Sequence, residues 1–259
     1  MKRIFAMAIA LLVLAGCGQT GPDSLSLPQN TPPSAPPAEY MNCRILYQTE
    51  ESLLLTQEEN GEETGDLILL SPSGIDMADE QGESMQASQL EAGMTVQIGY
   101  DGSILESYPC QLSGVTTLQV TGMVDSLLPF YLERIDELYQ KDEALNEGIE
   151  KIALDLGEVT NLTGQEKEAL CYLVGCRYDK EAFQSTYEQL CEEGQIDPDE
   201  LYYQDGVILS LSSQKGSKQT FTFSAMKWRS GLGAIGYHDA KAKQKGGQWQ
   251  CEIENWFIS

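Results

Sequence analysis

The sequence predicts an α+β protein with two folded domains: a small antiparallel β-barrel, then helices packed on a four-stranded antiparallel sheet. Three observations carry this expectation. Residues 40–121 consist of short β-branched and aliphatic runs broken by turn clusters. From Asp125 the apolar residues recur at spacings of three and four, the period of an amphipathic helix. After Asp205 the chain returns to alternating runs linked by short turns, which only antiparallel neighbours can use. Helices followed by an antiparallel meander are an α+β arrangement.

In chain order, Lys2 and Arg3 precede an unbroken apolar run from Ile4 to Leu14. The run is too short to span a bilayer but suits the apolar centre of a secretory signal. Leu14-Ala15-Gly16-Cys17 resembles the bacterial lipobox. That resemblance implies removal of residues 1–16 and diacylation of the Cys17 thiol; the other reading is an ordinary signal peptide with an incidental cysteine. Each buried methylene contributes about 0.8 kcal/mol, so two acyl chains hold a soluble domain at a membrane where one would not. Residues 17–39 then form a tether, because six of the ten prolines fall there and favour extended, semi-rigid chain.

In the first domain, residues 40–121, the strands are "NCRILYQT", "SLLLTQ", "DLILLS", "MTVQIGY", "SILESY" and "TTLQV". "EENGEETG" reads as a loop between the second and third. Asp101-Gly102 reads as a hairpin turn, since glycine supplies the positive φ that tight turns need. Residues 90–109, "LEAGMTVQIGYDGSILESYP", resemble the second half of a small barrel domain of Gram-positive lipoproteins. The resemblance implies an OB-like barrel of five or six strands.

In the second domain, residues 125–259, Leu128, Tyr131, Leu132, Ile135 and Leu138 mark one helix face, with Pro129 in the first turn. A second helix is expected over 143–156, with Ile149, Ile152, Ala153 and Leu156 as its stripe. Thr163 with Glu166 is a capping-box pattern opening a third helix that runs to about Cys176. Ser185 with Glu188 repeats it, and Gly194 can close the fourth. "GVILSLSS", "QTFTFSAMKWR", "AIGYHDAKAKQ" and "QWQCEIEN" form the four strands. This layout resembles cystatin-like and NTF2-like cones. Residues 227–249, "KWRSGLGAIGYHDAKAKQKGGQW", resemble a C-terminal signature of uncharacterised exported lipoproteins of Firmicutes, which implies a location but no chemistry.

The formal charge is −24 at pH 7, and removing Lys2 and Arg3 makes it more negative. Such a chain repels phosphates, which argues against nucleic acid and anionic headgroups as partners and leaves solubility, cations or a basic partner. Beyond Cys17 there are Cys43, Cys110, Cys171, Cys176, Cys191 and Cys251. Cys43 and Cys110, near the two ends of the barrel domain, are a candidate disulfide; buried apolar thiols are the alternative. With no C-x-x-C and one histidine, no metal centre is expected.

"GLGAIG", Gly231 to Gly236, matches a dinucleotide fingerprint in letters only. No helical stripe follows it, and Trp256 stands where the ribose-binding acid belongs, so no cofactor is expected. His238, the sole histidine, sits beside Asp239 on a strand with the two side chains on opposite faces. It is not assigned a catalytic role. Asp197, Asp199, Glu200 and Asp205 offer oxygens for calcium, but not at EF-hand spacing. Trp228, Arg229 and Ser230 form the most particular polar–aromatic cluster, in which the guanidinium could clamp a carboxylate. The sequence therefore points to a membrane-anchored, extracytoplasmic, non-catalytic module that binds a protein or envelope component, with those three residues as ligand-binding candidates. The alternative is an enzyme with a carboxylate and Arg229 in a pocket between helices and sheet. A transporter's solute-binding lipoprotein is disfavoured because no β-α-β alternation is apparent.

Overall fold

Ile45 and Leu46, Leu53 to Leu55, and Leu67 and Ile68 are all buried, so three successive strands bury both of their faces. That pattern fits a sheet covered on two sides rather than a small barrel with one wet face. The computed structural model describes residues 36–217 and 219–259. The signal segment, Cys17 and the tether up to residue 35 lie outside the described residues.

The first sheet comprises β1 (Glu39–Gln48), β2 (Leu53–Glu59), β3 (Glu62–Leu70), β4 (Asp76–Ala78), β5 (Met94–Tyr100) and β8 (Thr117–Met123), with β6 (Ile104–Leu105) and β7 (Gln111–Leu112) paired apart from it. Its order is β3-β2-β1-β5-β8-β4, antiparallel except for β4 beside β8. The two outermost strands, β3 and β4, do not pair, so the expected OB-like barrel is not closed. "EENGEETG" is not a loop: β2 and β3 run through it and turn at Asn60-Gly61, both at positive φ (55° and 82°), as a two-residue hairpin requires. Asp101-Gly102 turns the chain but does not pair β5 with β6; β5 instead lies between β1 and β8.

The second part contains α1 (Leu128–Gln140), β9 (Lys151–Asp155), α2 (Gly164–Tyr178), β10 (Glu181–Gln184), α3 (Tyr187–Glu192), β11 (Gly206–Ser217), β12 (Thr220–Ser230), β13 (Gly233–Lys245), β14 (Gln248–Glu252) and β15 (Trp256–Ile258). The sheet is seven-stranded and mixed rather than four-stranded and antiparallel, in the order β10-β9-β11-β12-β13-β14 with β15 also on β13. The helix expected over 143–156 is a 3₁₀ turn at Glu143–Asn146 followed by β9. Ile152, Ala153 and Leu154 are all fully buried because β9 lies between two strands with both faces covered. A strand of that kind loses its alternation and can imitate a helical stripe. β9, α2 and β10 form a parallel β-α-β unit, an alternation that the helical reading of residues 143–156 had hidden.

Three α-helices occur among the described residues, and they do not all sit on one sheet face. Leu128, Tyr131, Leu132, Ile135 and Leu138 of α1 and Ala169, Leu170 and Val174 of α2 share a core with Leu46, Leu54 and Leu67 of the first sheet and Val207, Leu209, Phe221 and Phe223 of the second. The two helices are thus layered between the sheets. Leu190 of α3 packs on the opposite face of the second sheet, against Ala153, Ile196, Tyr203 and Ile208. Thr163 and Glu166 close a capping box on α2, while α3 is capped by Thr186 with Gln189, one residue later than expected. No helix of the described residues is long and apolar enough to cross a membrane.

Candidate functional site

β12 alternates buried and half-buried residues along its whole length. Successive side chains point to opposite sheet faces, so Trp228, Arg229 and Ser230 cannot share one site. Phe221, Phe223 and Ala225 face the helices, and the same stripe continues with Lys227 and Arg229, both buried. Arg229 donates from Nη1 to the carbonyls of Leu145 and Glu147 (3.1 and 2.7 Å) and from Nη2 to that of Gln204 (3.1 Å). Lys227 Nζ donates to the carbonyls of Tyr139, Lys141 and Asp142 at 3.0, 2.8 and 3.1 Å. Burial pushes its pKa down to about 8, yet three acceptors match the three N–H bonds of an ammonium. Lys227 therefore caps the carbonyl-rich exit of α1, where positive charge is favoured, and Arg229 ties the 3₁₀ turn that follows to the segment before β11. The space between helices and sheet is filled by side chains such as Phe130, Tyr131 and Ile135, and Arg229 is committed to main-chain oxygens.

Trp228 points the other way, and with it Met226. Beyond the reach of α3 this outer face of the second sheet is uncovered, and three cavities open on it. Near the β12–β13 hairpin, an apolar groove of about 350 Å³ has Ile208, Met226 and Trp228 as strand residues and Tyr187, Glu188 and Leu201 from outside the sheet. Tyr187 and Trp228 meet edge to face, their ring centroids 5.1 Å apart. Beside the groove, Leu232 at the hairpin tip is 92% exposed. Along the same face a second cavity of about 250 Å³ brings Asp155, Glu158 and His238 around Ser210 and Met226. Burial, together with the charges of Glu188 and Glu158, raises the pKa of the Asp155 carboxyl. At the far end a third cavity of about 500 Å³ is lined by Lys241, Lys243 and Lys245 with Thr222, Gln250 and Glu252. The face therefore changes from apolar through acidic to basic along its length.

A bulge produces that order. The β12–β13 register shifts between Phe223 and Ala225, opposite His238 and Asp239, and Asp239 takes φ 54°. One extra residue reverses which side chains point outward, so Tyr237, Ala240 and Ala242 are all buried while Lys241, Lys243 and Lys245 stay exposed. His238 and Asp239 are consequently both exposed rather than divided between two faces, and the His238 ring stacks on Phe257 at 4.7 Å. "GLGAIG" supplies the hairpin turn, Gly231-Leu232, and the first residues of β13; a strand rather than a helix follows it. A Cβ on Gly236 would lie 2.4 Å from the Ala225 carbonyl oxygen and 2.9 Å from both Met226 Cα and Phe257 Cζ. Gly236→Ala is therefore expected to destabilise the protein by about 1–3 kcal/mol through overpacking. A thermal melt with no downward shift would show that β12 and β15 do not approach Gly236 that closely.

Ser230 lies at the strand end, where its hydroxyl accepts the Leu232 N–H at 3.4 Å. Asp197 accepts the Asp199 N–H at 2.8 Å in a local turn, and no group of three or more metal-ligating side chains forms among the described residues. Cys43 and Cys110 both belong to the first sheet's core, and all six described cysteines are free thiols. The sequence had marked Trp228 but not Tyr187, Leu201 or Met226. A signal for Met226 exists, since the outer stripe of β12 changes from Thr220, Thr222 and Ser224 to Met226 and Trp228; Tyr187 and Leu201 come from α3 and the turn before β11 and have none.

Fold and face together define a β-rich protein of two large sheets and a small two-stranded one, with α1 and α2 between the large sheets and an outer sheet face of graded polarity beside α3. No protein-family model matches the chain, and no curated protein is significantly similar to it.

Proposed function

We propose that the protein is a lipid-anchored, extracytoplasmic binding module that uses the outer face of its second sheet. The anchor rests on the signal-like residues 1–16 and on Cys17 in its lipobox-like setting. The likeness of residues 90–109 and 227–249 to exported lipoproteins of Gram-positive bacteria supports the same location. The observation that carries the binding role is the groove of Tyr187, Leu201, Met226 and Trp228, where apolar side chains stay open at the edge of the part of the face that α3 covers. The filled helix–sheet interior and the engagement of Arg229 by three carbonyls favour binding over a carboxylate–arginine enzyme.

Two experiments test the two halves. Cys17→Ala should remove the acyl mass and move the protein from the detergent phase to the aqueous phase; unchanged partitioning would sink the anchor. A photo-crosslinking residue at Trp228 in the anchored protein should give discrete adducts on intact cells, whereas the same probe at Tyr40, exposed on the first sheet, should not. Absence of adducts at position 228 would end the binding role for this face.

A further inference from the structure

The groove and the acidic cavity beside it are one continuous surface. Both are lined by Ser210 and Met226, which are cross-strand partners in the β11–β12 register. Glu188 stands on the groove wall, and Asp155 and Glu158 line the adjoining cavity. Among the described residues no lysine or arginine comes within ion-pair distance of any of the three. The buried cations of this region, Lys227 and Arg229, face the other side of the sheet and are engaged by main-chain carbonyls. Asp155 is the most constrained of the three, because it is half-buried and feels both glutamates. A cation brought alongside would relieve that repulsion.

Resting on the binding role proposed above, we infer that this surface takes an extended peptide segment pairing a large apolar side chain with a lysine or arginine a residue or two away. The apolar side chain lies in the groove against the Tyr187–Trp228 pair and Leu201, over Ile208 and Met226, and the cation reaches the carboxylates of Glu188, Glu158 and Asp155. Aromatic and aliphatic anchors in a desolvated groove supply most of the affinity in such contacts. The unpaired carboxylates select for sign and speed encounter, as a chain of formal charge −24 does at longer range. The same surface discriminates against acidic segments, which would add charge to an unbalanced acidic cluster. The geometry also separates this site from the lysines of β13, which lie at the opposite end of the face, so the two ends favour opposite charges.

The test uses arrays of acetylated, amidated nonapeptides in which a tryptophan or leucine is flanked by lysines or arginines. Matched arrays carry glutamate or glutamine for the bases, or alanine for the apolar residue. The full chain without its signal segment is the probe. Basic–apolar peptides should bind at least about tenfold tighter than charge-reversed ones, corresponding to about 1.4 kcal/mol. Trp228→Ala should abolish that binding, and Glu158→Gln with Glu188→Gln should weaken it several-fold and flatten its salt dependence. Equal binding of basic, neutral and acidic peptides would overturn the charge assignment. Binding of basic peptides irrespective of the apolar residue, or of none at all, would overturn the inference as a whole. Adducts at position 228 on cells would, in those cases, still leave the binding role standing with a different partner.

Discussion

Replacing Arg44 with leucine is expected to destabilise the protein by about 3–5 kcal/mol, the cost of stranding buried charges that have lost their partner. Arg44 lies on β1 and is buried. It donates to Glu166 at 3.1 Å, sits 3.5 Å from Glu58 and pairs closely with Glu63. Glu58 and Glu63 are directly opposite each other across the β2–β3 ladder, where like charges are destabilising unless a cation intervenes. Glu166 divides its carboxylate between this arginine and the N–H of Thr163, which it accepts at 2.9 Å as the capping box of α2. One guanidinium therefore holds an acidic hairpin together and ties the first sheet to the helix layer. Glu166→Gln should cost much less, because glutamine also completes a capping box. In the double variant with Arg44→Leu, a coupling of about 1 kcal/mol or more is expected, since the two groups touch. Chemical denaturation of the four proteins measures it, and additivity would show that the pair does not join the layers.

That cluster also shows why some of the fold was legible and some was not. Elements fixed by local chemistry could be read directly: Thr163 and Glu166 announce α2, Pro129 suits the first turn of α1, and the alternation of "TFTFSAMKWRS" marks β12. Elements fixed by distant partners could not. "EENGEETG" reads as a loop because its acids have no local counterion; Arg44, from another strand, makes it a hairpin. β9 reads as a helix because burial on both faces erases the period that distinguishes strand from helix. The bulge at His238 and Asp239 has no composition signal, yet it decides which face the lysines of β13 occupy. The candidate site divides in the same way. Trp228 stands out by type, and Met226 shares its stripe on β12, whereas Tyr187 and Leu201 come from α3 and the turn before β11, positions that only the folded topology brings near. Arg229, equally conspicuous in the sequence, belongs to the opposite face and serves the backbone.

Raising the pH above about 9 should destabilise the reduced protein steeply, because the fold buries thiols and phenols in their neutral forms. Burial pushes the Cys43 and Cys171 thiols up from an ordinary 9.0 to about 12, with nearby acidic side chains adding to it. It likewise lifts the Tyr131 and Tyr203 phenols from 10.0 to about 12. The unfolded chain releases these protons at ordinary values while the folded protein still holds them. Their contribution is thus complete below pH 9.0 and is lost as pH rises towards about 12. Each group contributes at most about 1.4 kcal/mol per pH unit in that window, and four together rival a total stability of about 5–15 kcal/mol. Lys227 works in the opposite direction. Its folded pKa of about 8 lies below the ordinary 10.5, so its deprotonation favours the folded state across that interval. Stability should therefore hold or rise slightly from pH 8 to 9 and then fall, with the tyrosinate signals of Tyr131 and Tyr203, resolved by site-specific labelling, appearing only as the protein unfolds. Urea midpoints across this range test the profile, and Lys227→Met should remove the early rise. Ionisation of Tyr131 or Tyr203 themselves at ordinary pH with the fold intact would mean that they are not held in the dry interior the structure gives them.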